Sequence, residues 1–365
     1  MSVGVAVVGC GTISHEYLRN LNTFPDVQVL ACADLDIDRA KAVAEQYGVP
    51  DAGDPERVFA NPDIEIVVNL TIPAAHMEVA GAAIAAGKHV YSEKPLALEP
   101  DGGARLLADA AAAGVRVGAA PDTFLGAGLQ TAYRLITQGA IGVPQTALTL
   151  MQGPGPESWH PSPEFLFQHG AGPLLDMGPY YLTALAGAFG PVAKVAASAR
   201  QARAERMIGS GPRAGTRFAV EVPTHVSALL EFAGGPAANT LFSFDSPLRR
   251  HDFFEITGTE ATLAVPDPNT FGGSPRLRRT GEEEWTPVPE SGAANGRGLG
   301  VLDMARAIRA GVPHRASGEC ALHVVEVMTA IASSARRGEF VPVSSTFAAA
   351  QPLPSDWDPH ARTVH

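Results

Sequence analysis

The strongest constraint on this chain lies in its first fourteen residues. An apolar run rich in valine, Val3-Gly4-Val5-Ala6-Val7-Val8, breaks at Gly9-Cys10-Gly11-Thr12-Ile13-Ser14 and gives way to a segment with helical character over about 12–21. A continuous apolar run ending in glycine is the signature of a parallel strand buried on both faces. Glycines at a strand-to-helix turn let the backbone approach a pyrophosphate closely, and the helix N-terminus offers N–H donors and a favourable dipole. Gly9, Gly11, Thr12 and Ile13 are the candidate phosphate contacts. Ser14 stands where the third glycine of the dinucleotide fingerprint is expected, at the helix-packing position. Taken alone, the turn is a weak signal, and a tight strand–helix connection that binds nothing is the lesser alternative.

Downstream segments make the turn part of a series. Residues 27–33 read as a second buried strand, and Ala40, Val43, Ala44 and Tyr47 recur at helical spacing before a stop at Gly48. Strands are predicted over 64–70, 89–92 and 115–119, with helices over 73–87 and 99–113. Strands alternating with helices of this length imply right-handed crossovers and a doubly wound parallel sheet. The pattern fades near Pro121, so the expected organisation is an α/β domain over 1–122, a second domain over 123–345 and an extended tail over 346–365.

The second domain has a different texture. Strands are predicted over 146–151, 192–198, 224–232, 239–244, 253–257 and 262–265, and helices over 128–138, 179–189, 300–310 and 320–337. Several consecutive strands flanked by helices predict an α+β domain with a mainly antiparallel, open sheet. Segments 200–217 and 267–299, rich in Gly, Pro and Arg, read as long surface loops.

Asp34 lies 23 residues after Gly11, at the C-terminal end of the second strand. A carboxylate there is placed to bind both ribose hydroxyls of an adenosine and repels a 2′-phosphate, so NAD is the expected cofactor and NADP the less favoured one. Lys94 sits in Glu93-Lys94-Pro95, where the predicted strand 89–92 ends on the ligand edge of the sheet. From there a lysine reaches both a nicotinamide ribose and a substrate hydroxyl, and an adjacent positive ring favours proton release from its ammonium. An exposed lysine in a proline turn is the plain alternative. A cis Lys94–Pro95 bond is a further expectation.

Gly9–Ser14, Asp34, Thr71-Ile72-Pro73 followed by His76, and above all Glu93-Lys94-Pro95 resemble the glucose–fructose oxidoreductase / inositol dehydrogenase / rhizopine-catabolism (Gfo/Idh/MocA) family. Residues 170–178, Gly-Ala-Gly-Pro-Leu-Leu-Asp-Met-Gly, are a second anchor. The resemblance implies a nicotinamide-dependent oxidoreductase acting on a ring or chain hydroxyl of a sugar or cyclitol, or on the matching ketone. It implies cofactor contacts at Thr71, Pro73, His76, Glu93 and Lys94, with Lys94 as the main acid–base residue and Asp176 polarising the reacting hydroxyl. Many members carry a histidine four residues after that aspartate; here the residue is Tyr180. One helical turn separates Asp176 from Tyr180, so both can face one cleft. Asp176 as a helix cap and Tyr180 as a core aromatic are the structural alternatives, and Pro179 is expected near the helix start.

Three further residues are candidate substrate contacts: His160 and His169 in the segment before Asp176, and Asp122 just after the last predicted strand of the first domain. Asp122 is equally placed to cap a loop. No histidine spacing suggests a metal, so none is expected. With 27 Lys and Arg against 38 Asp and Glu, the net charge of −11 disfavours nucleic acid and anionic membrane as partners. Three scattered cysteines favour a reducing compartment, and no apolar run approaches the length of a membrane helix. A cytoplasmic enzyme is expected, and the resemblance suggests a homo-oligomer, dimer or tetramer. Two rival functions share the same residues: an NAD-dependent glycosidase or lyase using transient oxidation, and a non-catalytic sugar sensor of the galactose-regulon repressor type.

Overall fold

The computed structural model describes residues 2–293 and 296–363. The chain divides into two compact units, one made of Met1–Gln130, Ser291–Val325 and Ala350–His365, the other of Thr131–Glu290 and Glu326–Ala349. This division differs from the expected one. Residues 291–325 and the C-terminal segment belong with the first unit.

In the first unit β1 (Val3–Val8), α1 (Ser14–Leu21), β2 (Val27–Ala33), α2 (Ile37–Tyr47), β3 (Asp51–Gly53), α3 (Pro55–Ala60), β4 (Ile66–Asn69), α4 (His76–Ala85), β5 (His89–Ser92), α5 (Pro100–Ala113) and β6 (Val117–Ala119) follow in order. The six strands form one sheet in the order β3-β2-β1-β4-β5-β6. Every pairing in it is parallel. β1 and β4 are buried along their whole length, as strands covered on both faces must be. The strand order reverses between β1 and β4, and the crevice beyond the carboxyl ends of these strands is where such sheets bind ligands. β3 and α3 were not expected from the sequence; three residues at a sheet edge carry too little periodicity to be read.

In the second unit β7 (Pro144–Gln152), α7 (Pro173–Phe189), β8 (Val192–Arg200), β9 (Glu205–Met207), β10 (Arg217–Ala219), β11 (His225–Phe232), β12 (Ala237–Ser243), β13 (Arg250–Gly258), β14 (Ala261–Ala264), β15 (Arg276–Arg279), β16 (Thr286–Pro287) and β17 (Val341–Pro342) are the principal elements. Nine strands form a sheet in the order β16-β15-β14-β13-β7-β12-β11-β8-β17. Only β7 and β12 pair in parallel; the sheet is otherwise antiparallel, and α7 packs on one of its faces. Two of the four unit boundaries, 130/131 and 325/326, fall within helices, α6 (Ala127–Thr137) and α9 (Gly318–Arg337); the other two fall in irregular segments. Before α9, α8 (Leu299–Ala310) belongs to the first unit.

Two expectations are corrected here. Segments 200–217 and 267–299 are not continuous loops, because β9 and β10 pair with each other and β15 and β16 extend the large sheet. Helix α7 begins at Pro173, not at Pro179. Gly172, at φ +90°, ends the preceding loop, and Pro173 takes the first turn, where a missing N–H costs nothing. Pro179 lies in the helix interior. The C-terminal segment lacks regular structure, yet it is tied down: Leu353 N–H donates to Gln130 (2.6 Å), and Arg306 donates to the Ala361 carbonyl (2.7 Å) and stacks on Trp357. No helix among the described residues is long and apolar enough to cross a membrane.

Candidate active site

The turn after β1 is built so that only glycine fits at its start. Gly9 has φ +97°, and a side chain there would begin 2.6 Å from the Leu70 carbonyl carbon and 2.7 Å from the Thr71 nitrogen. At Gly11 the opposite holds, since no heavy atom lies within 4 Å of that direction and the backbone is open to an approaching group. Thr12 is exposed and Ile13 half-buried at the start of α1, which has no side-chain cap. Ser14 absorbs the departure from the glycine fingerprint: fully buried, it donates its hydroxyl to the Gly11 carbonyl at 2.7 Å.

Asp34 closes the same cleft from the end of β2. Its carboxylate accepts from the Cys10 N–H (2.8 Å) and the Asp36 N–H (3.0 Å), and from Arg39 through Nε (3.1 Å) and Nη2 (2.6 Å). Burial pushes the Asp34 carboxyl up, but the Arg39 guanidinium and the two N–H groups outweigh it and hold the group below the usual carboxylate range. Arg39 escaped the sequence reading. The available signal was its place one turn into α2, five residues after Asp34. Between the turn and α2 lies a cleft of about 530 Å³ lined by Cys10, Gly11, Thr12, His15, Arg39, Ala42, Val43 and Gln46. The open backbone at Gly11, the bare start of α1 and the Asp34 carboxylate at the end of β2 fit the adenosine diphosphate half of NAD.

The ends of β4 and β5 are joined by buried polar contacts. Thr71 donates to Asn69 Oδ1 at 2.7 Å, and Asn69 donates to the His76 carbonyl at 3.0 Å. His76 is buried, with its ring between two carbonyls, Pro95 at 2.8 Å from Nδ1 and Thr71 at 2.9 Å from Nε2. It is therefore a brace between the two strand ends, while Thr71 is half-buried and Pro73 exposed at the crevice. The Lys94–Pro95 bond is cis. Lys94 is half-buried, and its N–H donates to the Glu93 carboxylate at 2.9 Å. That carboxylate is itself buried, accepting from the Tyr17 hydroxyl at 2.9 Å and facing Arg297 at 3.9 Å.

Of the two roles left open for Asp122, substrate contact and loop cap, the structure shows the cap. It is 0% exposed and accepts the N–H groups of Gly298 (2.8 Å) and Gly300 (3.1 Å), which caps the start of α8. Burial pushes its carboxyl up, against the pull of Arg297 and these two N–H groups. A side chain so enclosed and engaged is not presented to a substrate.

In the second unit Asp176 lies in the first turn of α7, half-buried, with Gly172 rather than Asp176 at the cap position. Tyr180 follows one turn later and is 6% exposed. Its neighbour Tyr181 is the core aromatic: fully buried, it donates to the His251 carbonyl at 2.5 Å and packs against Phe242 and Phe254. The preceding segment is pinned from beneath by Arg206, which ion-pairs with both Glu157 and Asp245 and lies over the Phe167 ring. On that segment the His160 ring sits edge-on to Trp159 and Phe165 and accepts from the Ser162 N–H at 3.0 Å, while His169 is exposed. Among the described residues no three His, Cys, Asp or Glu side chains are grouped to hold a metal ion.

Comparison with known proteins agrees with this geometry. Residues 3–120 match the model of an oxidoreductase family with an NAD-binding Rossmann fold, and residues 129–264 match the Gfo/Idh/MocA C-terminal domain. Inositol 2-dehydrogenase 3 of Saccharopolyspora erythraea is 32% identical over 44% of this chain, a match spanning about half (48%) of that enzyme. An uncharacterized oxidoreductase of Rhizobium meliloti is 27% identical over 93% of this chain and 98% of its own length. The crystal structure of an NAD-binding oxidoreductase from Klebsiella pneumoniae superposes with a TM-score of 0.81, at 25% identity, over 94% of this chain and all of that one. With both of its units matched, and with the glycine turn and Asp34 on the expected strand ends, the chain belongs to the Gfo/Idh/MocA family of NAD-binding oxidoreductases.

Proposed function

We propose that this protein is an NAD-dependent dehydrogenase that moves a hydride between the nicotinamide and a hydroxyl-bearing carbon of a sugar, cyclitol or related polyol, or the matching ketone. The observation that carries this reading is Lys94 at the end of β5, on the same sheet edge as the glycine turn. There its backbone is fixed by Glu93, and Glu93 by Tyr17. Bound NAD supplies the hydride acceptor. Gly9, Gly11, Thr12 and Ile13 hold the pyrophosphate, Asp34 reads the adenosine ribose, and Thr71 and Pro73 line the crevice at the end of β4.

The work left to the chain is to move one proton and to hold one oxygen still. Lys94 takes the hydroxyl proton during oxidation and returns it during reduction. Asp176 and Tyr180 share one face of α7 at a spacing that suits two contacts to a diol, the carboxylate accepting from one hydroxyl and the phenol donating to a neighbouring oxygen. Tyr180 acts here as a hydrogen-bond donor, which a phenol does without ionising. His160 and His169 are candidate contacts for the remainder of the substrate.

A screen of cyclitols, aldoses and glycosides for NAD reduction tests the reading, with Lys94→Ala as the control. The expected result is turnover with at least one polyol, lowered about 10²–10⁴-fold in the variant, as is usual for loss of a general acid–base. Calorimetry should show NAD bound within a few-fold of the parent. Undiminished turnover in Lys94→Ala would sink the assignment, and NAD binding without turnover on any polyol would favour a sensor.

A further inference from the structure

The loop that carries Lys94 is held by residues far from it in sequence. Glu93 divides its two carboxylate oxygens between different neighbours. Oε2 accepts the Lys94 N–H at 2.9 Å, while Oε1 accepts the Tyr17 hydroxyl at 2.9 Å and faces the Arg297 guanidinium at 3.9 Å. Tyr17 is fully buried on α1, one turn beyond Ile13 in the helix that starts at the phosphate turn. Burial first, and the Glu93 carboxylate second, push its phenol well above the usual range, so the hydroxyl keeps its proton and donates. Arg297, just before α8, is aimed by its backbone. Its carbonyl accepts from Asn20 of α1 at 2.7 Å, and the next residue, Gly298 at φ +108°, donates its N–H to Asp122 at 2.8 Å. The guanidinium then lies 3.9 Å from Glu93 and 3.9 Å from Asp122, one cation between two buried carboxylates. Tyr17 and Asn20 are three residues apart on α1, so one face of that helix holds both supports of Glu93.

We propose that Tyr17 and Arg297 are positioning residues that act on Lys94 through Glu93, so that α1 sets the direction of the acid–base lysine as well as forming the phosphate turn. The last torsion of a glutamate is soft, and a carboxylate gripped at one oxygen only is free to turn about it. Tyr17 and Arg297 on Oε1 stop that rotation and keep Oε2 on the Lys94 N–H. Without them the Lys94 backbone is free to shift, and the shift is carried along a four-carbon stem to the ammonium. A misplacement of about 1 Å at a reacting group can cost about 100-fold in rate. Neither residue touches the substrate in this scheme. The inference rests on Lys94 as the acid–base residue, but the hold on its backbone can be measured without turnover.

Two measurements on the full chain test it. The first is residue-resolved hydrogen exchange, which needs neither cofactor nor substrate. In Tyr17→Phe the Lys94 amide should exchange at least tenfold faster than in the parent. The Val90 amide of β5, bonded to the Arg116 carbonyl at 2.9 Å, should be unchanged. The second is steady-state kinetics with a polyol that the parent oxidises. There kcat should fall about tenfold, with KM for NAD and for the polyol within threefold. Arg297→Met should behave alike in both measurements, and Arg297→Lys, which keeps the cation, should recover most of the loss. In a Lys94→Ala background Tyr17→Phe should lower turnover less than twofold further, because its effect runs through the lysine. Equal acceleration at Lys94 and Val90 would make Tyr17 a fold stabiliser only and overturns the proposal. So does a Lys94 amide unchanged in both Tyr17→Phe and Arg297→Met, faster exchange with undiminished kcat, or a further tenfold loss in the Lys94→Ala background. If Lys94→Ala itself keeps full turnover, the acid–base reading fails instead, and exchange at Lys94 still decides whether Tyr17 and Arg297 hold it.

Discussion

In the first unit, several polar groups at the strand ends are held by close neighbours in sequence, beside long-range partners such as Tyr17 on Glu93, 76 positions away. Ser14 bonds Gly11, Thr71 bonds Asn69, and Asp34 pairs with Arg39, separations of three, two and five residues. In the second unit the corresponding supports come from far away: Arg206 reaches Glu157 across 49 positions and Asp245 across 39, and Tyr181 reaches His251 across 70. Local support survives as long as its own strand–turn–helix survives. Long-range support depends on the whole unit closing correctly, and the removal of one partner leaves the others buried without compensation.

The sharpest way to expose this difference is Arg206→Met. The variant keeps an apolar stem of similar length over Phe167 but leaves buried Glu157 and half-buried Asp245 with no cation between them. Breaking a buried pair from one side typically costs about 3–5 kcal/mol. The expected outcome is a loss of that size in urea denaturation, with NAD affinity, a property of the first unit, changed less than twofold. A loss below about 1 kcal/mol would mean that the network contributes little.

The same contrast decides what could be read from the chain. β1, the glycine turn, β2 and Asp34 were legible because each rests on a rule acting within a few residues: an apolar run, a position only glycine can take, a carboxylate at a strand end. Arg206 was unreadable because arginine among Gly, Ser and Arg looks like surface, and only Glu157 and Asp245 explain its burial. Asp122 stayed undecided between contact and cap for the same reason, its partners being the N–H groups of Gly298 and Gly300 far along the chain. For α7, two prolines each satisfied the rule for a helix start, and the glycine with positive φ before Pro173 decided between them. His76 lay where expected, but its two carbonyl partners make it a brace.

Within the first unit, the Asp34–Arg39 pair offers a smaller effect of opposite character. A carboxylate at this strand end is expected to repel a 2′-phosphate, and Arg39 is paired with it. Asp34→Ser should shift the NAD-to-NADP affinity ratio toward NADP by about tenfold or more, roughly 1.4 kcal/mol per factor of ten. The guanidinium is then released to meet the phosphate. Asp34→Ser combined with Arg39→Ala should forfeit most of that gain, and titration of both dinucleotides against all three proteins checks it. An unchanged ratio in Asp34→Ser would remove Asp34 from the selectivity argument.

The smallest effect sets one carboxylate of each unit against the other. Asp34 is held below its usual range, so it stabilises the fold at neutral pH and that contribution fades as acid protonates it. Asp267, after β14, is the reverse. Burial first, and the nearby Asp252 carboxylate second, push its carboxyl up to about 6, against the pull of the Asn269 N–H. A folded value above the unfolded one means that the folded state holds the proton more tightly. Stability is therefore lost as pH rises from about 3.8 to about 6, and at pH 7.5 the cost is fully present. Asp267→Asn keeps an oxygen for the Asn269 N–H and carries no charge. It should stabilise the protein at pH 7.5 by on the order of 1 kcal/mol and leave it unchanged near pH 3.5, whereas Asp34→Asn should destabilise at pH 7.5. Urea denaturation of the two variants at both pH values measures the pair of signs. Equal signs at pH 7.5 would show that the two carboxylates do not sit in opposite environments.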